Sequence, residues 1–283
     1  MALETANTQE LTREQVQNIL IKPLEDTSVF LSAGPRIFDT DGSPVRIPKL
    51  GGATDPAWYG ENEQITDVDM DFDEVTLLPS SIKSVKTLTR FSNELARQSI
   101  VSLDATIKDR LVKDVADKID AAFLTGTGGT PAGTEPVGLL NYQGVQTLDA
   151  AISFDTLIDA WGMLLSANAN TNAAKILMHP TDFVALRKVK QATGSNQYVL
   201  TPDPTKDGVF RLFGSQVIIT SRIPQGRGAL ADFSQIAVAR DQAPTVKILD
   251  QTFGDYDQQA IRVTARYDAA PLNPEAIVLV GEQ

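Results

Sequence analysis

From Leu103 to Leu124, apolar side chains return at every fourth position: Leu103, Ile107, Leu111, Val115, Ile119 and Phe123, with Val112, Ala116 and Leu124 widening the stripe. Lys108, Asp109, Arg110, Lys113, Asp114, Asp117 and Lys118 fill the other face. The pattern predicts an amphipathic helix of about 20 residues and about 30 Å, the strongest helical signal in the chain. Ser102 or Asp104 can cap its start, and the run Gly126-Thr127-Gly128-Gly129 stops it.

After this helix, short elements alternate. Ser153–Ala167 reads as a helix with Leu157, Ile158, Trp161, Leu164 and Leu165 turned inward. Lys175–Met178 reads as a short strand, and Pro180 opens a helix over Thr181–Lys190. Residues 191–210 read as a polar loop. Gln216–Thr220, Ile236–Arg240, Thr245–Leu249, Ala260–Tyr267 and Ala276–Val280 read as strands. Helices and strands mix without a regular βαβ beat, so the α+β class is expected.

The stretch before the long helix has a different character. Thr12-Arg13-Glu14-Gln15 matches a helix capping box, followed by Val16, Ile19 and Leu20 and ended by Pro23. Two turns with so little apolar surface are marginal alone. Residues 34–56 are rich in Gly and Pro, and the chain to about Gly52 reads as an arm that needs a neighbouring surface to order it. Over Asp67-Val68-Asp69-Met70-Asp71-Phe72-Asp73 acids and apolar residues alternate strictly, which is strand periodicity with one acidic face. Pro79-Ser80-Ser81 marks a turn, and Ile82–Phe91 returns with Lys83, Val85, Lys86, Leu88 and Arg90. A long β-hairpin with a wide loop is expected over 64–91. Arms and long hairpins cannot bury themselves and serve to reach other copies.

The 283 residues, 42% of them hydrophobic, suffice for a sizeable core in one large or two modest domains. A net charge of −11 removes the basic footprint expected of a nucleic-acid reader. With no cysteine there is no disulfide or thiolate site, which fits synthesis in a reducing cytoplasm. The first residues lack the apolar core of a signal peptide, and no apolar run reaches the roughly 18 residues a membrane span requires.

Active-site chemistry finds little support. The lone histidine, His179, precedes Pro180 at a strand-to-helix junction; no Gly-x-Ser-x-Gly elbow accompanies it, and a backbone-bonded junction residue is the simpler reading. The Gly126–Gly129 run closes a helix and has no lysine, unlike a phosphate loop. The acid row fails the calcium-loop pattern, because Phe72 and Leu78 stand where Gly and Glu are needed. The row is a solvated acidic face, or it meets basic residues of a neighbouring subunit. No metal or cofactor is expected.

Several segments, in order, resemble the tailed-bacteriophage major capsid family of the Hong Kong 97-type fold. Ala57-Trp58-Tyr59-Gly60-Glu61-Asn62-Glu63 with the run to Phe72 resembles the entry to that family's extended E-loop. Val85-Lys86-Thr87-Leu88 through Phe91-Ser92-Asn93-Glu94-Leu95 resembles the return strand and the turn before the spine helix. Ile119–Gly128 followed by Pro136-Val137-Gly138-Leu139-Leu140 is similar to the exit from that helix. Met178-His179-Pro180-Thr181-Asp182-Phe183 and Leu212-Phe213-Gly214-Ser215-Gln216-Val217 resemble the axial domain's helix start and strand. Asp232-Phe233, Arg262–Tyr267 and Asn273-Pro274-Glu275-Ala276-Ile277 resemble the closing strands.

The resemblance implies an N-terminal arm over 1–52, an E-loop hairpin with flanking strands over 53–91, and a peripheral domain with the spine helix over 92–135. An axial domain over 136–270 and a C-terminal strand over 271–283 complete it. It implies hexamers and pentamers in an icosahedral shell that encloses double-stranded DNA without specific binding. The protein would be assembled in the cytoplasm of a host bacterium, with a scaffolding protein and a portal as partners, a decoration protein as an optional one, and no membrane. Because the resemblance begins near the N-terminus, no large cleavable scaffolding domain is expected. Trp58, Glu61, Asp67, Asp69, Asp71, Lys83, Lys86 and Arg90 are the candidate inter-subunit contacts. Some family members cross-link covalently from an E-loop lysine. No lysine lies between Lys49 and Lys83 here, and Asp257, Gln258 and Thr264 stand where the partners would be, so no self-cross-linking is expected. An encapsulin-like nanocompartment shell is the alternative; a hydrolase using His179 and a decoration or tail protein are remoter ones.

Overall fold

The computed structural model describes residues 28–51, 58, 61, 71–78, 83–93, 103–129, 133–192, 197–200, 210–253 and 256–281. The arm helix expected over Thr12–Leu20 lies outside them. In chain order come α1 (Val29–Ser32), β1 (Arg36–Asp39), β2 (Val45–Gly51), β3 (Asp71–Leu77), β4 (Val85–Ser92) and α2 (Leu103–Thr125). Next are β5 (Gln146–Leu148), α3 (Phe154–Ser166), β6 (Ala174–Met178), α4 (Pro180–Arg187), β7 (Arg211–Leu212), β8 (Ser215–Ile219) and β9 (Arg227–Asp232). The chain closes with β10 (Ile236–Phe253), β11 (Gln258–Pro271) and β12 (Ile277–Gly281). The α+β class expected from the sequence is the class observed.

One sheet runs β1-β10-β11-β4, with β10, β11 and β4 antiparallel and β1 parallel to β10. The long amphipathic helix is α2, and its stripe from Leu111 onward packs against this sheet. Val115, Ile119, Phe123 and Leu124 share one core with Ile261, Val263, Ala265 and Tyr267. Phe30 of α1 completes it, tilted against the Phe123 ring at 5.0 Å and edge-on to that of Phe233 at 5.5 Å. The two strands read at 236–240 and 245–249 are one strand of 18 residues. Its register shifts between Arg240 and Gln242 and again before Thr245. Pro244 in that gap cannot donate to the ladder, and a bulge absorbs the fault without ending the strand.

The second sheet runs β5-β12-β9-β6-β8-β7, with α3 and α4 contributing Leu157, Leu164, Phe183 and Leu186 to its core. Strand β9 escaped the sequence reading because Arg-Gly-Ala-Leu-Ala-Asp lacks β-branched residues. It forms all the same, because its small residues fit between β12 and β6. Helix α3 starts at the Ser153 cap, where Ser153 and Thr156 form a reciprocal capping box. Two of its five expected inward residues face out: Ile158 and Leu165 are about half exposed, at 51% and 57%. The stripe facing the sheet is narrower than the sequence implied.

The hairpin needs a correction. Strand β4 does not pair back onto the acidic strand; its partner is β11, in register from Ala265↔Val85 to Gln258↔Ser92. The extended pair is β2 with β3, from Val45↔Leu77 to Gly51↔Asp71. Residues 45–51 were read as arm because Pro48 and Gly51 argue against a strand. A two-stranded ribbon has free edges on both sides, so a proline costs it little. Residues 236–271 contribute β10 and β11 to the sheet under α2, and β12 belongs to the sheet that carries α3 and α4.

Candidate functional site

The root of the β2–β3 hairpin is built on a buried carboxylate. Asp268 is 2% exposed. It accepts hydrogen bonds from the backbone N–H of Leu78 at 2.9 Å and of Ala269 at 3.0 Å. Its two oxygens also hold the Lys83 ammonium at 2.7 and 2.8 Å. Leu78 leaves the hairpin with a positive φ of 50°, a strained conformation for leucine. Its buried side chain and that of Leu77 pack on Ala237 and Ala239. Burial and a hydrogen-bonded partner together hold the turn in place. Burial raises the phenol of Tyr142 well above its ordinary value, and the negative charge of Asp268 adds to the shift.

A second buried carboxylate fastens the chain entering from the N-terminal side. Asp120 on α2 is 3% exposed. It accepts from Ser28 Oγ at 2.6 Å and from the N–H groups of Val29 and Phe30 at 2.8 and 3.0 Å. It thereby supplies partners for donors at the start of α1. Burial raises its carboxyl above the ordinary value, against the hydrogen bonds from Ser28, Phe30 and Val29.

Between β4, α2 and the turn after α2 lies an open cleft of about 590 Å³. Val85, Val115, Ile119, Ala122, Phe123 and Pro136 give it an apolar floor, and Lys86 and Lys118 stand on its rim with Asp114 and Glu135. Lys118 lies 3.6 Å from Glu135. Lys86 is exposed, and among the described residues it has no ion-pair partner.

The sequence-derived contact candidates fall in different places. Trp58 is fully exposed, at 101%. Glu61 is exposed too. Asp67 and Asp69 lie outside the described residues, while Asp71 opens β3 opposite Gly51. The register sets Asp73, the last acid of the row, opposite Lys49 of the same chain. Lys86 and Arg90 are exposed on β4, whereas Lys83 turns inward to Asp268. Sequence reasoning missed Asp120 and Asp268. For Asp120 a signal existed: it stands four residues after Ala116 and four before Leu124, on the apolar stripe itself.

The remaining motifs are structural. His179 caps α4, its Nδ1 accepting from Thr181 N–H at 3.2 Å and lying 2.7 Å from Thr181 Oγ1. Gly126 is required by close approach: a Cβ there would strike the carbonyl oxygens of Ala122 and Pro136. Among the described residues no group of three His, Asp or Glu could hold a metal, and no helix is long and apolar enough to cross a membrane.

A sheet crossed by one long helix, a second sheet beneath short helices, and a separate two-stranded ribbon together match known shell proteins. The model of the phage capsid family matches residues 10–281. The chain belongs to the phage capsid family. This capsid protein is 24% identical to the major capsid protein of Klebsiella oxytoca phage phiKO2, over 95% of its own length and 67% of the relative's. It is 22% identical to the major capsid protein of Halomonas phage phiHAP-1, over 89% and 40% of the two chains. It is 25% identical to the capsid polyprotein of Pseudomonas phage PAJU2, over 82% and 33%. It thus spans about two thirds of the first relative and less than half of the other two. Among solved structures, a chain of Microbacterium phage Oxtober96 superposes with a TM-score of 0.74 at 13% identity, covering 90% of both chains. The capsid of a native GTA particle gives 0.72 at 17% identity, covering 89% of both. A virus-like particle from Pyrococcus furiosus gives 0.59 at 13%, covering 94% of this chain and 98% of that one. The fold of the capsid protein is the Hong Kong 97-type capsid fold. Its curated relatives are phage proteins, which favours a phage head over the nanocompartment alternative.

Proposed function

We propose that this capsid protein is the shell subunit of a tailed-phage head, assembling as hexamers and pentamers around packaged double-stranded DNA. The observation that carries the reading is the β2–β3 extension. It is rooted in the body through Leu77, Leu78 and Asp268, yet Trp58, in the stretch of chain that connects its two strands, has no cover from its own subunit. Such a feature gains nothing for one copy and a great deal for many. The extension lies over an adjacent subunit, and Trp58, Glu61, Asp67, Asp69, Asp71, Lys86 and Arg90 meet it there. Lys83 acts within the subunit instead, holding the root.

The sheet under α2 forms the peripheral body, and the six-stranded sheet faces the capsomer centre. A scaffolding protein and a portal take part in assembly in the host bacterial cytoplasm. The charge of −11 suits a wall that encloses DNA without gripping it. Negative-stain electron microscopy of the protein, expressed alone and with its neighbouring genes, tests this. Rings of five or six or closed shells are expected; a monodisperse small oligomer under every condition would overturn the reading.

A further inference from the structure

We infer that the cleft between β4 and α2 is a receptor for Trp58 of a second copy, with Glu61 of that copy set against Lys86 on the rim. This rests on the shell reading above and assigns it a particular contact. Two halves of a binding pair stand in one chain, each incomplete. Trp58 is 101% exposed and lies in the sequence between the paired strands β2 and β3. A tryptophan in water forgoes burial of an aromatic surface of roughly 150–250 Å². The cleft, about 590 Å³, has the complementary character: an apolar floor from Val85, Ile119, Ala122, Phe123 and Pro136, and lysines above it. An indole fits such a volume with room for the flanking backbone. The lysines then lie where an ammonium attracts the face of the ring.

Charge selects the same orientation. Glu61 follows Trp58 by three residues and is exposed, and Lys86 is an exposed rim lysine without an ion-pair partner among the described residues. The carboxylate that accompanies the indole thus has a cation waiting beside the cleft. Trp58 leaves its own subunit uncovered, so the occupant comes from another copy. One patch inserting into a different patch is a heterologous contact, the kind that propagates around rings. Lys83 strengthens the design from behind. Committed to Asp268, it holds the hairpin root beside the same cleft, so the extension a subunit sends out and the cleft in which it receives one share a single anchor.

The test uses the full chain. Trp58 and Trp161 are its two tryptophans, so a Trp161→Phe variant reports on Trp58 alone. On assembly, its emission is expected to shift to shorter wavelength, and quenching by acrylamide is expected to be lost. Glu61→Lys and Lys86→Glu are each expected to slow assembly several-fold, and the two combined to restore it. Shells seen by microscopy with Trp58 still freely quenched, or a double variant no better than the singles, would overturn the contact while leaving the shell reading intact. Failure of the Trp161→Phe protein to form any particle, when the parent chain also forms none, would overturn the shell reading and this inference with it.

Discussion

Replacing Lys83 with methionine isolates the anchor at the hairpin root. The aliphatic stem survives, but the Asp268 carboxylate, 2% exposed, loses its counter-ion and keeps the N–H groups of Leu78 and Ala269. Removing one partner of a buried pair costs about 3–5 kcal/mol, because the remaining charge stays desolvated. The Lys83 side chain is 12% exposed, so some water reaches the ammonium and the lower end, about 3 kcal/mol, applies. With a urea slope of about 3 kcal/mol/M for a chain of this size, the unfolding midpoint falls by about 1 M. Lys83→Met combined with Asp268→Asn removes the orphaned charge and keeps an acceptor for Leu78 N–H. Its loss is expected to be about 2 kcal/mol smaller than the sum of the single losses. Equilibrium urea unfolding of the purified subunit, followed by circular dichroism, supplies all three values. A Lys83→Met loss under about 1 kcal/mol, the range of an exposed pair, would refute the reasoning, as would additive single effects.

Asp120→Ala strands the Ser28 hydroxyl and two backbone donors, and is expected to cost about 2–4 kcal/mol by the same unfolding assay. Because burial raises the Asp120 carboxyl in the folded state, its contribution is full below the unfolded value and declines as pH rises through the folded one. The advantage of the parent chain over Asp120→Asn should therefore be larger near pH ~4 than near pH ~7; urea midpoints showing the reverse would contradict the burial argument. Gly138→Ala places a Cβ 2.5 Å from the backbone nitrogen of Gly126 and 2.6 Å from that of Thr125, so soluble yield and thermal midpoint should collapse. Gly162→Ala, with nothing within 4 Å, should be neutral or stabilising by up to about 1 kcal/mol. Shells boiled in denaturant should run as monomers on a gel, since no lysine lies between Lys49 and Lys83; a ladder of multimers would refute non-covalent assembly.

What the sequence determined by itself was local and periodic. The stripe from Leu103 to Phe123, the Ser153 cap and the His179-Pro180 helix start all announce themselves, because helical periodicity and capping act over a few neighbouring residues. The ordered motifs from Trp58 to Ile277 went further and carried the family. Pairing was beyond its reach. Nothing near Asp71 says that its strand joins residues 45–51 and leaves Val85–Ser92 to β11, since either ladder satisfies the same backbone groups. The tertiary structure chose by burial: β11 presents Ile261, Val263 and Ala265 to α2, and β4 completes that sheet. The same cause hid Asp268, Lys83 and the cleft. Their neighbours are far apart in sequence, and a carboxylate becomes an anchor only when the fold removes it from water and brings Leu78 and Lys83 to it.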